Sequence, residues 1–182
     1  MLSGKEEPMA TIDLIVLGML KKEALSAYDI QKLVKYRNIS RWVRISTPSI
    51  YKKVIQLEEK GLVRGTVVQE GKMPGKVVYS LTPRGEQEFD RLMLELSGKP
   101  VEIYLDLNAV IVNLEHFTPG QQKVCLDNIE NHVRVLKSYL EDNICQKAGL
   151  PGIPETGMAV LQQQFILAQA IETWVAGLKE GL

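Results

Sequence analysis

At Gly61 the chain changes period, and that switch constrains the fold more than any other feature. Before it, in the stretch Ser46 to Val63, Thr47 can cap a helix, and Pro48 fits the first helical position, where a missing N–H costs nothing. Gly61 is a natural stop. Ile50, Val54, Leu57 and the adjacent Ile55 form an apolar stripe. Ser49, Lys52, Lys53 and Gln56 are expected on the opposite face. After Gly61, Leu62 to Gln69 is rich in Val and Thr. In Lys76 to Leu81, Val77, Tyr79 and Leu81 alternate with Lys76, Val78 and Ser80. Glu70 to Gly75 lies between the two runs, so the pattern is a β-hairpin with a flexible basic tip.

A lone helix with one polar face is most simply a solvated surface helix. Its flanks argue otherwise. From Lys35 to Lys53 there are six basic residues (Lys35, Arg37, Arg41, Arg44, Lys52, Lys53) and no acid. The net charge of zero hides this unevenness. Residues 1–99 hold 17 Lys and Arg against 12 Asp and Glu, whereas residues 100–182 hold 5 against 10. Within 21–84 the count is 14 basic to 5 acidic, so a polyanion partner is expected for the first half only.

The rest of the first half completes a domain over 10–97. Thr11 can cap a helix to about Lys22, with Leu14, Leu17, Gly18 and Leu20 inward. Ser26 is the expected cap of a second helix, with Asp29 completing a capping box and Ile30, Leu33 and Val34 buried. Asn38 to Ser46, containing Trp42 among basic residues, reads as a connector or a distorted turn of helix. Thr82-Pro83 starts a fourth helix carrying Phe89, Leu92, Met93 and Leu96 on one face. Three helices, a hairpin and a return helix make a winged helix-turn-helix. The third helix would enter the major groove and the wing would touch backbone or minor groove. Groove-facing or phosphate-facing candidates are Arg41, Arg44, Ser46, Thr47, Ser49, Tyr51, Lys52 and Lys53, with Lys72 and Lys76 from the wing.

The second half, 100–182, reads as helical. Ile103, Leu107, Val110, Ile111 and Leu114 mark a helix ending near Phe117. Thr118-Pro119 restarts the chain, and Leu126, Ile129, Val133, Leu136 and Leu140 form a seam stepping by three and four. Such a seam is more often an ordinary core stripe than an interface. A small helical tail rarely covers its own apolar surface, however, which favours a dimerisation domain. Gly149 to Gly157 is a loop, and Met158 to Leu178 is a last helix. The fold class is therefore mainly α with a small β-hairpin: an N-terminal winged helix-turn-helix plus a C-terminal α-helical dimerisation domain.

Several segments resemble the PadR-type transcriptional regulators: Ile15 to Leu20, Leu25 to Ile30, Ser46 to Tyr51, Leu57 to Val63, and Val78 to Gly85. Their order and spacing over roughly residues 11–96 carry the resemblance. Ser26-Ala27 departs from the His-Gly the family often has, and Lys52 from its usual proline after the tyrosine. By length and pattern, the helical tail is similar to that of the branch related to phenolic-acid repressors and virulence activators. The resemblance implies a bacterial regulator, most simply a repressor, binding a pseudo-palindromic double-stranded DNA operator as a homodimer. It also implies release by a small, often aromatic, effector, or plain sensing of cell state. Trp42, Tyr104 and Trp174 are either core aromatics or the lining of an effector cavity between the halves. The rival reading is a winged-helix protein-interaction module without DNA binding.

Enzyme chemistry finds little in the sequence. His116 and His132 have no metal-ligand spacing with Cys125 or Cys145, and Gly61, Gly65, Gly71 and Gly75 form no phosphate loop. No cofactor or metal is expected. Two cysteines fit a reduced, cytoplasmic setting. The apolar run Ile12 to Leu20 is short and contains Asp13, so neither a signal peptide nor a membrane span is expected.

Overall fold

Helix caps and a change of period set the element boundaries. The computed structural model describes residues 7–43, 45, 49–69 and 75–181. Over these, the chain forms α1 (Glu7–Lys22), β1 (Leu25–Ser26), α2 (Ala27–Tyr36), α3 (Ser49–Glu59), β2 (Val63–Val68), β3 (Lys76–Leu81) and α4 (Pro83–Ser97). Then follow α5 (Leu107–Ile111), α6 (Pro119–Lys147) and α7 (Glu155–Glu180), with short 3-10 turns at Ile39–Arg41 and Leu114–His116. The chain divides into two compact units, Met1–Val101 and Glu102–Leu182. Among the described residues no helix is long and apolar enough to cross a membrane.

In the first unit, Ser26 caps α2. Its hydroxyl accepts from the Asp29 N–H, and the Asp29 carboxylate accepts from the Ser26 N–H. Such a cap is worth about 1 kcal/mol. At α4 the Thr82 hydroxyl accepts from the Gly85 N–H, with Pro83 in the first turn and no reciprocal bond, because the third helical residue is a glycine. The expected cap and proline of α3, Thr47 and Pro48, lie outside the described residues. The C-terminus of α3 closes on Gly61 at φ 70°. The Gly61 N–H donates to the Glu58 carbonyl and the Leu62 N–H to the Leu57 carbonyl, the bond pair that a left-handed residue permits. The Leu62 carbonyl in turn accepts from the Thr82 N–H at 3.1 Å and its hydroxyl at 3.0 Å. The end of α3, the start of β2 and the start of α4 are thus tied at one point.

The hairpin is antiparallel from Val63 opposite Leu81 to Val68 opposite Lys76. Its second strand also pairs with β1, so the sheet order is β1-β3-β2. The core beneath it includes Val16, Leu17, Ile30, Val34, Ile50, Val54 and Leu57, each almost wholly buried. Burying each such side chain contributes about 1.5–3 kcal/mol.

The second unit is dominated by the antiparallel pair α6 and α7. Asp127 and Glu130 meet Lys179, whereas Arg134 and Lys137 meet Glu172, which fixes the antiparallel sense. Thr118 caps α6 through a full capping box with Gln121. The seam expected between chains is largely spent inside one chain. Leu126, Val133 and Leu140 are buried, Ile129 is half-buried, and Leu136 alone is exposed, at 47%. The reason is that α7 buries a matching seven-residue repeat of Leu161, Ala168 and Val175. A short connection returns it along α6, the arrangement that makes neighbouring helices antiparallel partners. Leu140, Leu161 and Ala168 share one cluster.

The helix expected over Ile103 to Phe117 is also corrected. Only Leu107–Ile111 is α-helical, and Val101 to Leu105 runs outside any helix with Ile103 64% exposed. Val101, Ile103, Val110, Ile111 and Val112 are β-branched and lose χ1 freedom in a helix, so the apolar spacing there lacks propensity behind it.

Candidate nucleic-acid interface

The helix α3 is anchored by one face and offers the other. Ile50, Lys53, Val54 and Leu57 point inward, while Tyr51, Lys52 and Ile55 are exposed and Ser49 and Gln56 are half-buried. Two placements correct the sequence reading. Ile55 is 51% exposed although counted with the apolar stripe. Five residues beyond Ile50 is about 140° around a helix of 3.6 residues per turn, well off the core side. Lys53 is only 4% exposed although expected among the groove-facing cations. Three residues beyond Ile50 is about 60° away, still on the core side. Its ammonium meets Asp13 Oδ1 of α1 at 2.7 Å, so Lys53 is a core residue in an ion pair and leaves the set of DNA contacts.

The remaining candidates divide by position. Tyr51 and Lys52 share the outward face of α3. Arg41 is exposed on the 3-10 turn that precedes α3, and Lys76 is exposed at the start of β3. Arg44, Ser46, Thr47 and Lys72 lie outside the described residues. Trp42 is half-buried and packs on the core of the first unit.

Four residues were missed by sequence reasoning. On α2, Tyr28 and Tyr36 are exposed at 58% and 48%, and Lys32 is exposed with its ammonium 5.9 Å from the Tyr28 ring centre. Arg64 is exposed on β2. The spacing 28, 32, 36 is a helical stripe opposite the buried Ile30 and Val34. That stripe was legible but carried no motif of its own. Asp29 lies between this stripe and the wing. The Ser26 hydroxyl holds its carboxyl below the ordinary range, with Lys76 and Lys32 adding to the effect. The strand pairing of Ser26 with Val78 brings α2 and the base of the wing together. The first unit therefore presents an aromatic and basic surface from α2, α3 and the sheet. Side chains of these types can pair with phosphates and reach base edges.

The second unit carries a different recess of about 400 Å³, lined by Trp174, Leu167, Ala170 and Ile171 of α7 with Ile103, Leu105 and Asn108. Trp174 is 41% exposed, and Tyr104 is 75% exposed and outside this lining. No group of three His, Cys, Asp or Glu side chains able to hold a metal occurs among the described residues.

Comparison with known proteins bears on this geometry. Residues 16–91 match the family described as Transcriptional regulator PadR-like family. No curated protein matches. Among solved structures, Bacillus subtilis PadR in complex with operator DNA superposes with a TM-score of 0.79 at 18% identity, over 93% of this chain and 98% of that one. The same protein with p-coumaric acid gives 0.78 at 18%, over 94% and 95%. The Vibrio cholerae virulence activator AphA gives 0.69 at 19%, over 93% and 96%.

Proposed function

We propose, from the match of residues 16–91 to the PadR-like family of transcriptional regulators, that this chain is a regulator of that type, binds a pseudo-palindromic DNA operator as a homodimer and represses transcription in the cytoplasm. One observation carries the reading. The outward face of α3 presents Tyr51 and Lys52, its inward face is locked into the core, and no acid occurs from Lys35 to Lys53. Arg41, Lys76, Lys32 and Arg64 are exposed on other elements of the same unit. The likeness to an operator-bound structure supports it. Homodimerisation is supported by exposed apolar side chains on α6, with Val124 at 58%, Val135 at 70% and Leu136 at 47%. Release by a small aromatic effector is supported by the likeness to a structure holding p-coumaric acid. An effector can move the equilibrium only by its difference in affinity for the two states, about 5.5 kcal/mol for 1:99 to 99:1.

The rival reading, a winged helix that docks a protein, draws on Ile55, an exposed aliphatic side chain in the middle of the outward face. On DNA the same side chain would meet a thymine methyl. A salt titration separates the two. Phosphate contacts make log K fall with log salt by about 0.9 per phosphate neutralised. A gel shift on the promoter beside the gene that is indifferent to salt would overturn the DNA reading.

A further inference from the structure

The ion pair between Asp13 and Lys53 occupies an unusual place. Ile50, Val54 and Leu57 are wholly buried, and Lys53 sits where a fourth apolar side chain would complete the stripe that seats α3. Its partner Asp13 lies on α1 beside buried Ile12 and near Val16 and Leu17. The side chains are 5% and 12% exposed, and their charged ends meet at 2.7 Å. Neither of those two atoms has an aligned hydrogen bond to any other group among the described residues. Stability does not explain this choice, because well-packed apolar residues in place of a buried ion pair are commonly as stable or more so.

The two kinds of contact differ in direction. Apolar packing is non-directional and tolerates small rotations of a helix. An isolated buried pair does not: if α3 turns, two charges lose the partners they have among the described residues, in a medium that cannot solvate them. A rotation of about 20° on a helix of about 5–6 Å outer radius moves the outward tips by about 2 Å. That is enough to break a base-edge hydrogen bond, and much less damaging to contacts with the flexible, evenly charged backbone.

We infer that Asp13 and Lys53 are positioning residues that fix the rotation of α3 about its own axis, so that Tyr51 and Gln56 meet base edges in one register, while neither residue touches DNA. The inference rests on the DNA-binding reading above. It names a difference between two readouts: sequence discrimination depends on the pair, and salt-dependent affinity for any duplex does not.

The test uses the full-length protein and the duplex that wild type enriches from a random library, against a shuffled duplex of the same composition. Asp13→Leu with Lys53→Met is expected to melt no lower than wild type and to bind shuffled duplex with the wild-type salt slope. Its ratio of affinities for enriched over shuffled duplex is expected to fall at least tenfold. Asp13→Asn with Lys53→Gln, which puts two uncharged groups able to donate and accept in place of the charges, is expected to restore most of that ratio. Wild-type discrimination in the apolar pair would overturn the inference. So would an amide pair as unselective as the apolar one. An apolar pair that fails to fold would overturn it too, because the ion pair would then be a stability element. If wild type enriches no duplex at all, the DNA reading itself fails, which is a separate and recognisable result.

Discussion

Two leucines ten residues apart on α6 have opposite surroundings, and truncating each tests how the seam is used. Leu126 is 1% exposed and Leu136 is 47% exposed. Leu126→Ala removes three buried carbons, about 2.5 kcal/mol at about 0.8 kcal/mol per methylene. The cavity left behind raises the cost, so the total falls within the about 2–5 kcal/mol found for such truncations. For a domain of this size each kcal/mol lowers the melting temperature by about 4–8 °C, so a drop of at least about 10 °C is expected. Leu136→Ala loses about half the transfer term and leaves no cavity, because solvent fills the space. It should therefore cost about 1 kcal/mol in an isolated chain. If Leu136 lies on a dimer face, its loss appears elsewhere: light scattering reports monomer at micromolar protein, and the melting temperature loses the concentration dependence that association gives it. Circular dichroism melts at several concentrations read both effects. Equal melting shifts for the two variants, with the same concentration dependence, would refute the division of the seam into an inward and an outward half.

Three further outcomes are expected. Gly85→Ala should destabilise the first unit by more than about 1 kcal/mol in urea unfolding, because the new Cβ would lie 2.0 Å from the Leu62 carbonyl oxygen at the junction of β2 and α4. Lys52→Gln should lower the salt slope of DNA binding by about 0.9 and weaken binding to all duplexes alike, which a slope unchanged from wild type would contradict. The hydrogen bonds from Lys179 hold the carboxyls of Asp127 and Glu130 below their ordinary range. Their contribution to stability is therefore intact above that range and is lost as pH falls through and below it. Lys179→Met should flatten the acid limb of the melting curve, and a limb as steep as wild type would show that these pairs do not set it.

Three helix starts were legible because their chemistry is local, whereas α1 begins at Glu7, a turn ahead of the cap expected at Thr11. Ser26 with Asp29, Thr82 with Pro83 and Thr118 with Pro119 each satisfy donors within one turn, and each begins a helix as the sequence indicates. The hairpin was legible from its alternation and from Gly61. The strand β1 was not, because Leu25–Ser26 is two residues long and is a strand only by virtue of its pairing with Tyr79 and Val78. The short α5 was overstated for the converse reason: apolar spacing of three and four was present, but the β-branched residues that supply it favour extended backbone.

The misplacement of Lys53 and of the α6 seam has a common physical origin. Periodicity states which side chains share a face, and it is silent on what that face meets. On α3 the face nearest Ile50 includes Lys53, and only the presence of Asp13 on a different helix makes a buried ammonium tolerable there. On α6 the repeat of Leu126, Val133 and Leu140 demands a helical partner with a matching repeat. Leu161, Ala168 and Val175, a whole helix away in sequence, meet that demand before a second chain is needed. In both cases the partner lies far along the chain and its identity is settled by tertiary packing. Burial of a charge at a position the helical period assigns to the core is thus an instruction to look for its counter-ion on the nearest neighbouring helix. For α3 that neighbour is α1, whose otherwise apolar run from Ile12 to Leu20 holds one acid, Asp13, beside its first residue. The sequence reading used that acid only to exclude a membrane span, although an acid amid a helix's buried residues needs a partner cation. A basic residue at the i+3 position of the α3 stripe was the available match.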